Sequence, residues 1–369
     1  VAHQLNYSTL DRLLHRLAFA APFLQLTAAD VEKAVWGRTY SHVAGARPVF
    51  ITSLPRAGTT LLLDALTQFP SFASHSYRDM PFILAPIFWS HLSGPFQQAG
   101  AMKERAHADG VEVGFDSPEA FEEVIWRTFW PKKYGADSIG LWSARDEDEE
   151  AHAFFVDHIR KIIALRRPDR AATARYLSKN NANIARLDLI DRMFPDAQVL
   201  LCVRRPLAHA RSLLQQHRRF LAMHRDEPFV RRYMEDIGHY EFGELHRPIR
   251  FDQMAPLMAG RDPLTLDYWL AYWIAAFDRP LTDRPNLRIV PYDELCASPM
   301  EILPELCRWL ELDPEGLLGH VAALFQVRDR PARDDEHPDP VLLERAEAIH
   351  ARMVEGAQVQ PRGGPVAVY

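Results

Sequence analysis

Cysteine is scarce in this chain. Cys202, Cys296 and Cys307 are three in 369 residues, too few and too scattered for a disulfide framework or a zinc site. Cys202 sits in an apolar run and reads as a small core residue. The 16 histidines include no H-E-x-x-H pair, so the sequence gives metal chemistry no support and no metal is expected. No apolar run reaches the roughly 18 residues that an integral membrane span needs. The stretch from Leu10 to Leu26 is interrupted by Asp11, Arg12, His15 and Arg16, which makes it an amphipathic helix and not a signal peptide. The first residue is Val1, so a removed or truncated leader stays open. With neither signal nor anchor, a cytoplasmic setting is the default expectation. An excess of basic charge is also missing. The formal net charge of −6 offers no electrostatic footprint for nucleic acid, so any anion-binding site must be local.

What is present is an ordinary globular composition, 47% hydrophobic and 25% charged, which excludes a disordered chain or a coiled-coil rod. The length suffices for a full hydrophobic core. Residues 1–45 carry helical spacings (Leu10, Leu13, Leu14, Leu17, then Val31, Ala34, Val35). Pro48 to Leu54 is a short apolar run of the kind found in buried parallel strands, followed by a turn and a helix from Thr59 to Phe69. Residues 71–170 are less regular, and the acidic run Asp146 to Glu150 opens a helix over 151–166 as a solvated N-terminus. Strands follow at Thr173–Ser178 and Gln198–Val203, with helices at 183–193 and from Pro206 to about residue 221. A variable, aromatic and charged section fills 222–260. Leu264–Phe277 reads as a helix, Leu287–Val290 as a strand and 299–311 as a helix. The tail from 328 is polar and is expected to wrap the surface. Strand–helix alternation around short apolar strands predicts an α/β fold, a central parallel sheet flanked by helices, in one domain over 1–369. Residues 1–45 would be a helical extension, and about 71–170 and 222–260 insertions.

Two segments carry the chemistry. Ser53-Leu54-Pro55-Arg56-Ala57-Gly58-Thr59-Thr60 joins the first strand to its helix. Against the nucleotide-binding pattern G-x-x-x-x-G-K-[ST], Gly58 and Thr60 are in place, Ser53 replaces the first glycine and Thr59 the lysine. Backbone amides and a helix N-terminus still suit an anion, with Arg56 as the cation. The bland alternative is a plain turn with a capping threonine. The second segment, Arg204-Arg205-Pro206-Leu207-Ala208-His209-Ala210-Arg211-Ser212, leaves a strand at its carboxyl end, where ligands gather in open α/β sheets. Arg204 and Ser212 can together hold a phosphate through charge-assisted hydrogen bonds. Alternatively it is a basic, solvated helix start.

Together these segments resemble the sulfotransferases that use 3′-phosphoadenosine 5′-phosphosulfate (PAPS), in particular bacterial and tyrosylprotein-type members. Leu177-Ser178-Lys179-Asn180 and Val290-Pro291-Tyr292-Asp293-Glu294-Leu295 are similar to two further segments of that family. The resemblance implies a P-loop nucleotide-binding fold. It implies that Arg56, Ala57, Gly58, Thr59 and Thr60 hold the 5′-phosphosulfate, that Arg204 and Ser212 hold the 3′-phosphate, and that Tyr292 lies close to the nucleotide. Lys179 matches a lysine beside the transferring sulfuryl group, although Asn181 stands where relatives often have proline. Arg362-Gly363-Gly364 faintly resembles a C-terminal basic-glycine loop. The implied reaction is in-line, metal-independent transfer from PAPS to a hydroxyl or amine of a glycan, lipid or small molecule, releasing 3′,5′-ADP. A P-loop kinase-like phosphotransferase and a non-catalytic nucleotide-binding relative are the alternatives. Oligomeric state is not legible.

Arg56 and Lys179 are the expected catalytic cations. The general base departs from the family pattern, because the ungapped count from Arg56 to the glutamate of tyrosylprotein-type relatives lands on Tyr77. His75, Asp79 and Glu112 are the candidates. Asp79 has the alternative of pairing with Arg78 or capping a helix, and Glu119 and Glu122 read as ordinary first-turn acids. The acceptor pocket is expected from 71–135 and 222–260. Phe82, Phe88, Trp89, Phe96, Trp126, Phe129 and Trp130 line it or belong to the core.

Overall fold

A computed structural model of the chain describes residues 9–93, 103–104, 112–113, 121–314, 316–325 and 336–359. Helices α1 (Thr9–Ala18) and α2 (Pro22–Tyr40) open it, with Pro22 in the first turn, where a missing N–H costs nothing. Strand β1 (Val49–Thr52) runs through the turn at 53–58 into α3 (Thr59–Thr67), and β2 (Phe72–Ala73) and α4 (Pro86–Ser93) follow. The two-residue strands β3 (Lys103–Glu104) and β4 (Glu112–Val113) pair antiparallel, apart from the main sheet. Then come α5 (Glu123–Phe129), α6 (Glu149–Arg166), β5 (Arg175–Lys179), α7 (Leu187–Met193), β6 (Gln198–Val203) and α8 (Pro206–Asp226). Next are α9 (Pro228–Asp236), α10 (Met254–Met258), α11 (Leu266–Phe277), β7 (Leu287–Pro291), α12 (Tyr292–Ala297) and α13 (Pro299–Leu310). The last two helices are α14 (Leu318–Leu324) and α15 (Pro340–Val359).

The main sheet has five strands in the order β2-β5-β1-β6-β7, and every pair is parallel. Successive side chains of a strand point to opposite faces, and both faces here are apolar. Phe50, Tyr176, Val199, Leu201 and Val203 join one core with α5, α6, α8, α11 and α15. Val49, Ile51, Leu177, Leu200, Cys202 and Val290 join a second with α3, α13 and α14. Cys202 is therefore the core residue expected, its thiol pushed up to about 12 by burial. Because α3 and α8 pack on opposite faces, the turns after β1 and β6 part at a switch point of the sheet. That is where an open α/β sheet leaves a crevice for a ligand.

Two readings of the sequence need correction, and one section gains elements. Residues 340–359 are no surface wrap, since α15 buries Leu342, Ala346, Ile349, Met353 and Ala357 against the core shared with α8 and α11. Those residues lie at helical spacings along one stripe, and the prolines and acids before them masked the pattern. The section 222–260 contains α9 and α10. Glu122 is not an ordinary first-turn acid. It is buried, accepts from Trp126 Nε1 at 2.8 Å and Asn183 Nδ2 at 3.0 Å, and stands beside Glu123, which pairs with buried Arg186. The acidic opening of α6 matches expectation: Asp148 accepts from the Ala151 amide at 2.9 Å, a helix cap.

Candidate active site

The turn after β1 is bent by two left-handed residues, Arg56 (φ 73°) and Gly58 (φ 86°), separated by buried Ala57. A non-glycine residue held there costs about 1–3 kcal/mol, so its surroundings must enforce it. They do. Ser53 Oγ donates to Cys202 O at 2.6 Å, tying the turn to β6. Arg204 Nη1 donates to Arg56 O at 3.0 Å, and Arg56 Nε donates to Ser212 Oγ at 3.3 Å. His209 lies 2.7 Å from Pro55 O through Nε2 and 3.2 Å from the Trp273 indole N–H through Nδ1. Because the indole can only donate, Nδ1 accepts and Nε2 carries the proton that reaches Pro55. Burial, with Arg204 and Arg56 nearby, pushes His209 down to about 3, so the ring stays neutral.

Gly58 is required by its neighbour as well as by its φ. A Cβ built there would stand 2.1 Å from Cδ2 and Cε2 of Tyr292, the first residue of α12. The Tyr292 ring thus closes one side of the turn, and Arg204 sits over that ring at 5.5 Å. Burial pushes the Tyr292 phenol up to about 12, which keeps it protonated. Asp293 accepts from the Arg205 amide at 2.8 Å and fixes the start of α8. The turn leads straight into the first turn of α3, whose amides, as at any helix start, have no acceptor within the helix, an arrangement that suits an anion.

Lys179 ends β5 opposite Ile51 and is largely buried. Two residues on, Asn181 occupies the position where proline was noted as missing. Its Oδ1 accepts from Thr59 Oγ1 at 3.2 Å, and its Nδ2 donates to Glu241 Oε1 at 3.2 Å. Glu241 Oε2 lies 2.7 Å from His239 Nδ1. Burial pushes the Glu241 carboxyl up, but His239, Lys179 and the Asn181 amide outweigh it and draw it down to about 2.

His75 and Asp79 stand elsewhere, beyond the end of β2. Asp79 is buried, accepting from His75 Nδ1 at 2.9 Å, from the Ser76 amide at 3.0 Å and from Arg166. His75 Nε2 meets His158 Nε2 at 2.8 Å. Burial pushes the Asp79 carboxyl up, yet Arg166 and His75 hold it well below the usual carboxylate range. Asp79 does cap a turn, reciprocally with Ser76, but its charged partner is Arg166 and not Arg78. Glu112 stands on β4, and its side chain lies outside the described residues, as do Phe96 and Arg362-Gly363-Gly364. Trp126 and Trp130 are core, while Phe82, Phe88, Trp89 and Phe129 are half-buried.

The structure thus brings together Arg56, Ala57, Gly58, Thr59, Arg204, Ser212 and Tyr292, with Lys179 at the neighbouring strand end. Sequence reasoning missed His209, although it lies inside the second motif, and missed Glu241 and His239, which no local pattern marks. Among the described residues, no cluster of His, Cys, Asp or Glu could hold a metal ion, and no helix is long and apolar enough to cross a membrane.

A family model described as the sulfotransferase family matches residues 48–315. Among solved structures, the sulfotransferase STF9 of Mycobacterium avium is similar at 15% identity. That match covers 98% of this chain and 89% of that one, with a TM-score of 0.52. The sulfotransferase STF1 of Mycobacterium tuberculosis H37Rv shares 16% identity over 94% of this chain and 88% of that one, with a TM-score of 0.47. No curated protein matches. The matched span runs from the strand that leads into the cradle to beyond α13 and includes every main-sheet strand, and by that match the chain belongs to the sulfotransferase family.

Proposed function

We propose that the chain transfers the sulfuryl group of PAPS to a hydroxyl or amine acceptor, of glycan, lipid or small-molecule type, and releases 3′,5′-ADP. One observation carries this reading. Two motifs about 150 residues apart in sequence are in direct contact, through the bonds from Arg56 to Ser212 and from Arg204 to the Arg56 carbonyl. A cradle for one anion and a guanidinium–hydroxyl pair for another therefore adjoin at one crevice, as a nucleotide carrying both a 3′-phosphate and a 5′-phosphosulfate requires.

In this reading Arg56, Ala57, Gly58, Thr59 and Thr60 hold the 5′-phosphosulfate through amides, hydroxyls and one guanidinium. Arg204 and Ser212 take the 3′-phosphate, and Tyr292 walls the nucleotide. Arg56 and Lys179 stabilise the charge that grows on the leaving phosphate, a task met by positioned cations without a metal. Thr59 stands where a P-loop kinase has its lysine, which disfavours ATP as donor. His75 and Asp79, each engaged by buried partners, we assign to holding the chain beyond β2, with Glu112 as the remaining sequence candidate for proton transfer.

The test is a screen of hydroxyl and amine acceptors with radiolabelled PAPS, with ATP and Mg²⁺ in parallel. Label transfer from PAPS supports the reading. Turnover of ATP with none of PAPS would replace it with a kinase, and retention on immobilised 3′,5′-ADP without any transfer would leave a binding protein.

A further inference from the structure

Beyond the two motifs, a third segment reaches the cradle. Residues 239–246 follow α9 and are pinned to α8, the helix that carries Ser212. The amides of Gly243 and Glu244 donate to Nδ1 of His217 and His224, each at 3.2 Å. His246 bridges the Glu241 carbonyl and the Tyr268 hydroxyl, each at 2.7 Å. Gly243 has φ 71°, and a Cβ there would lie 2.7 Å from His224 Nδ1, so only glycine lets the segment lie this close. The segment is therefore rigidly held where it presents Glu241.

Its carboxylate stands two hydrogen bonds from the Thr59 hydroxyl, with the Asn181 amide as the only intermediary. Lys179 is close enough to act on its charge. The side chain is about a quarter exposed, although Oε2 itself is buried against His239. Two other buried carboxylates are held instead by guanidinium groups. Asp79 is 2% exposed and taken up by Arg166, His75 and Ser76, and Glu123 is held by Arg186 through both oxygens.

We propose that Glu241 is the group that receives the acceptor's proton, with Asn181 as the residue that positions it against Thr59. This rests on the sulfuryl-transfer reading. In the step, the acceptor oxygen or nitrogen forms a bond to sulfur as the sulfur–oxygen bond to the 5′-phosphate breaks. The electron pair of that bond stays on the phosphate of 3′,5′-ADP, and the acceptor's proton passes to the Glu241 carboxylate. His239, Lys179 and Asn181 keep the carboxylate ionised and ready to accept. A carboxylate so stabilised is a weak base, so its contribution belongs at the lower end of the roughly 10²–10⁴-fold range of general bases.

Glu241→Gln is compared with the wild type using radiolabelled PAPS and the hydroxyl acceptor sulfated fastest in the screen. The expected result is a kcat lower by about 10²-fold with unchanged affinity for 3′,5′-ADP and unchanged melting. With 4-nitrophenol, which gives up its proton unaided in mildly alkaline buffer, the deficit should shrink. If Glu241→Gln does not fold, Glu241→Asp keeps the charge and shortens the reach, and a loss of about tenfold is expected. Transfer within about threefold of wild type by either folded variant overturns the proposal. So does a parallel loss of 3′,5′-ADP affinity, which would make Glu241 a prop of the cradle. A wild type that neither binds 3′,5′-ADP nor transfers label sinks the sulfuryl-transfer reading itself.

Discussion

The ends of β1 and β2 lie in the same sheet and are built in opposite ways. Beyond β2, the polar side chains pair chiefly with one another: Asp79, His75, Ser76, His158 and Arg166 form a largely buried network. Beyond β1, Arg204 donates to the Arg56 carbonyl and His209 of α8 to the Pro55 carbonyl, with Trp273 of α11 holding His209, and the turn so braced leads into the start of α3. A braced turn that leads into a helix start suits an anion, while side chains paired with one another make a rigid edge. Both are rich in charge and hydrogen-bonding groups, so richness in polar residues does not by itself mark a site. What matters is which groups are left facing outward.

Acid should have the largest effect, and it reaches both ends, since burial also holds His158 of the β2 network well below 6.5. His209 and His246 are held at about 3 and His217 and His224 at about 4, each depressed by burial from an ordinary 6.5. The unfolded chain binds these protons first, so stability falls as pH drops from about 6.5 towards 4. Asp79, held below its usual 3.8, adds a further loss only below that value. Denaturant titrations across this range should give a steadily falling midpoint, and a flat profile down to about pH 5 would contradict the neutral clasp. Next in size is Asp79→Ala, which strands Arg166 and His75 and should cost about 3–5 kcal/mol. The folded fraction should bind 3′,5′-ADP as the wild type does. A variant of full stability that has lost nucleotide would break the comparison from the β2 side. Smaller again is Gly58→Ala, expected to cost about 1–3 kcal/mol through its backbone and its clash with Tyr292. Here nucleotide affinity should drop more than stability. Adding Tyr292→Ala should relieve the clash and leave the backbone cost, a split that calorimetry and melting can measure in one cycle.

The strands and the two binding motifs were legible because their signals are local. A β-branched run, a glycine after an arginine, and an arginine and serine on one helix start need no knowledge of the rest of the chain. Gln198–Val203 matches the expected strand in full, whereas the one helix expected over Leu10–Leu26 is two, Thr9–Ala18 and the start of Pro22–Tyr40. The remainder depended on distance. Asn181 meets Thr59 across 122 positions and Glu241 across 60, and no spacing rule reaches that far. Glu122 looked like a helix-start acid because Asn183, which donates to its buried carboxylate, lies in a segment read as part of another helix. The α15 stripe was readable at helical spacing, but its proline-rich and acidic approach drew attention to the tail's polarity.

The central claim is that the turn at 53–60 and the Arg204–Ser212 pair grip two ends of one nucleotide. Calorimetry with 3′,5′-ADP and with 5′-AMP, on the wild type and on Arg204→Ala, tests it most directly. The wild type should favour the ligand carrying the 3′-phosphate by at least about tenfold, and Arg204→Ala should bind both with similar, weak affinity. An Arg204→Ala protein that keeps the wild-type preference would contradict the account.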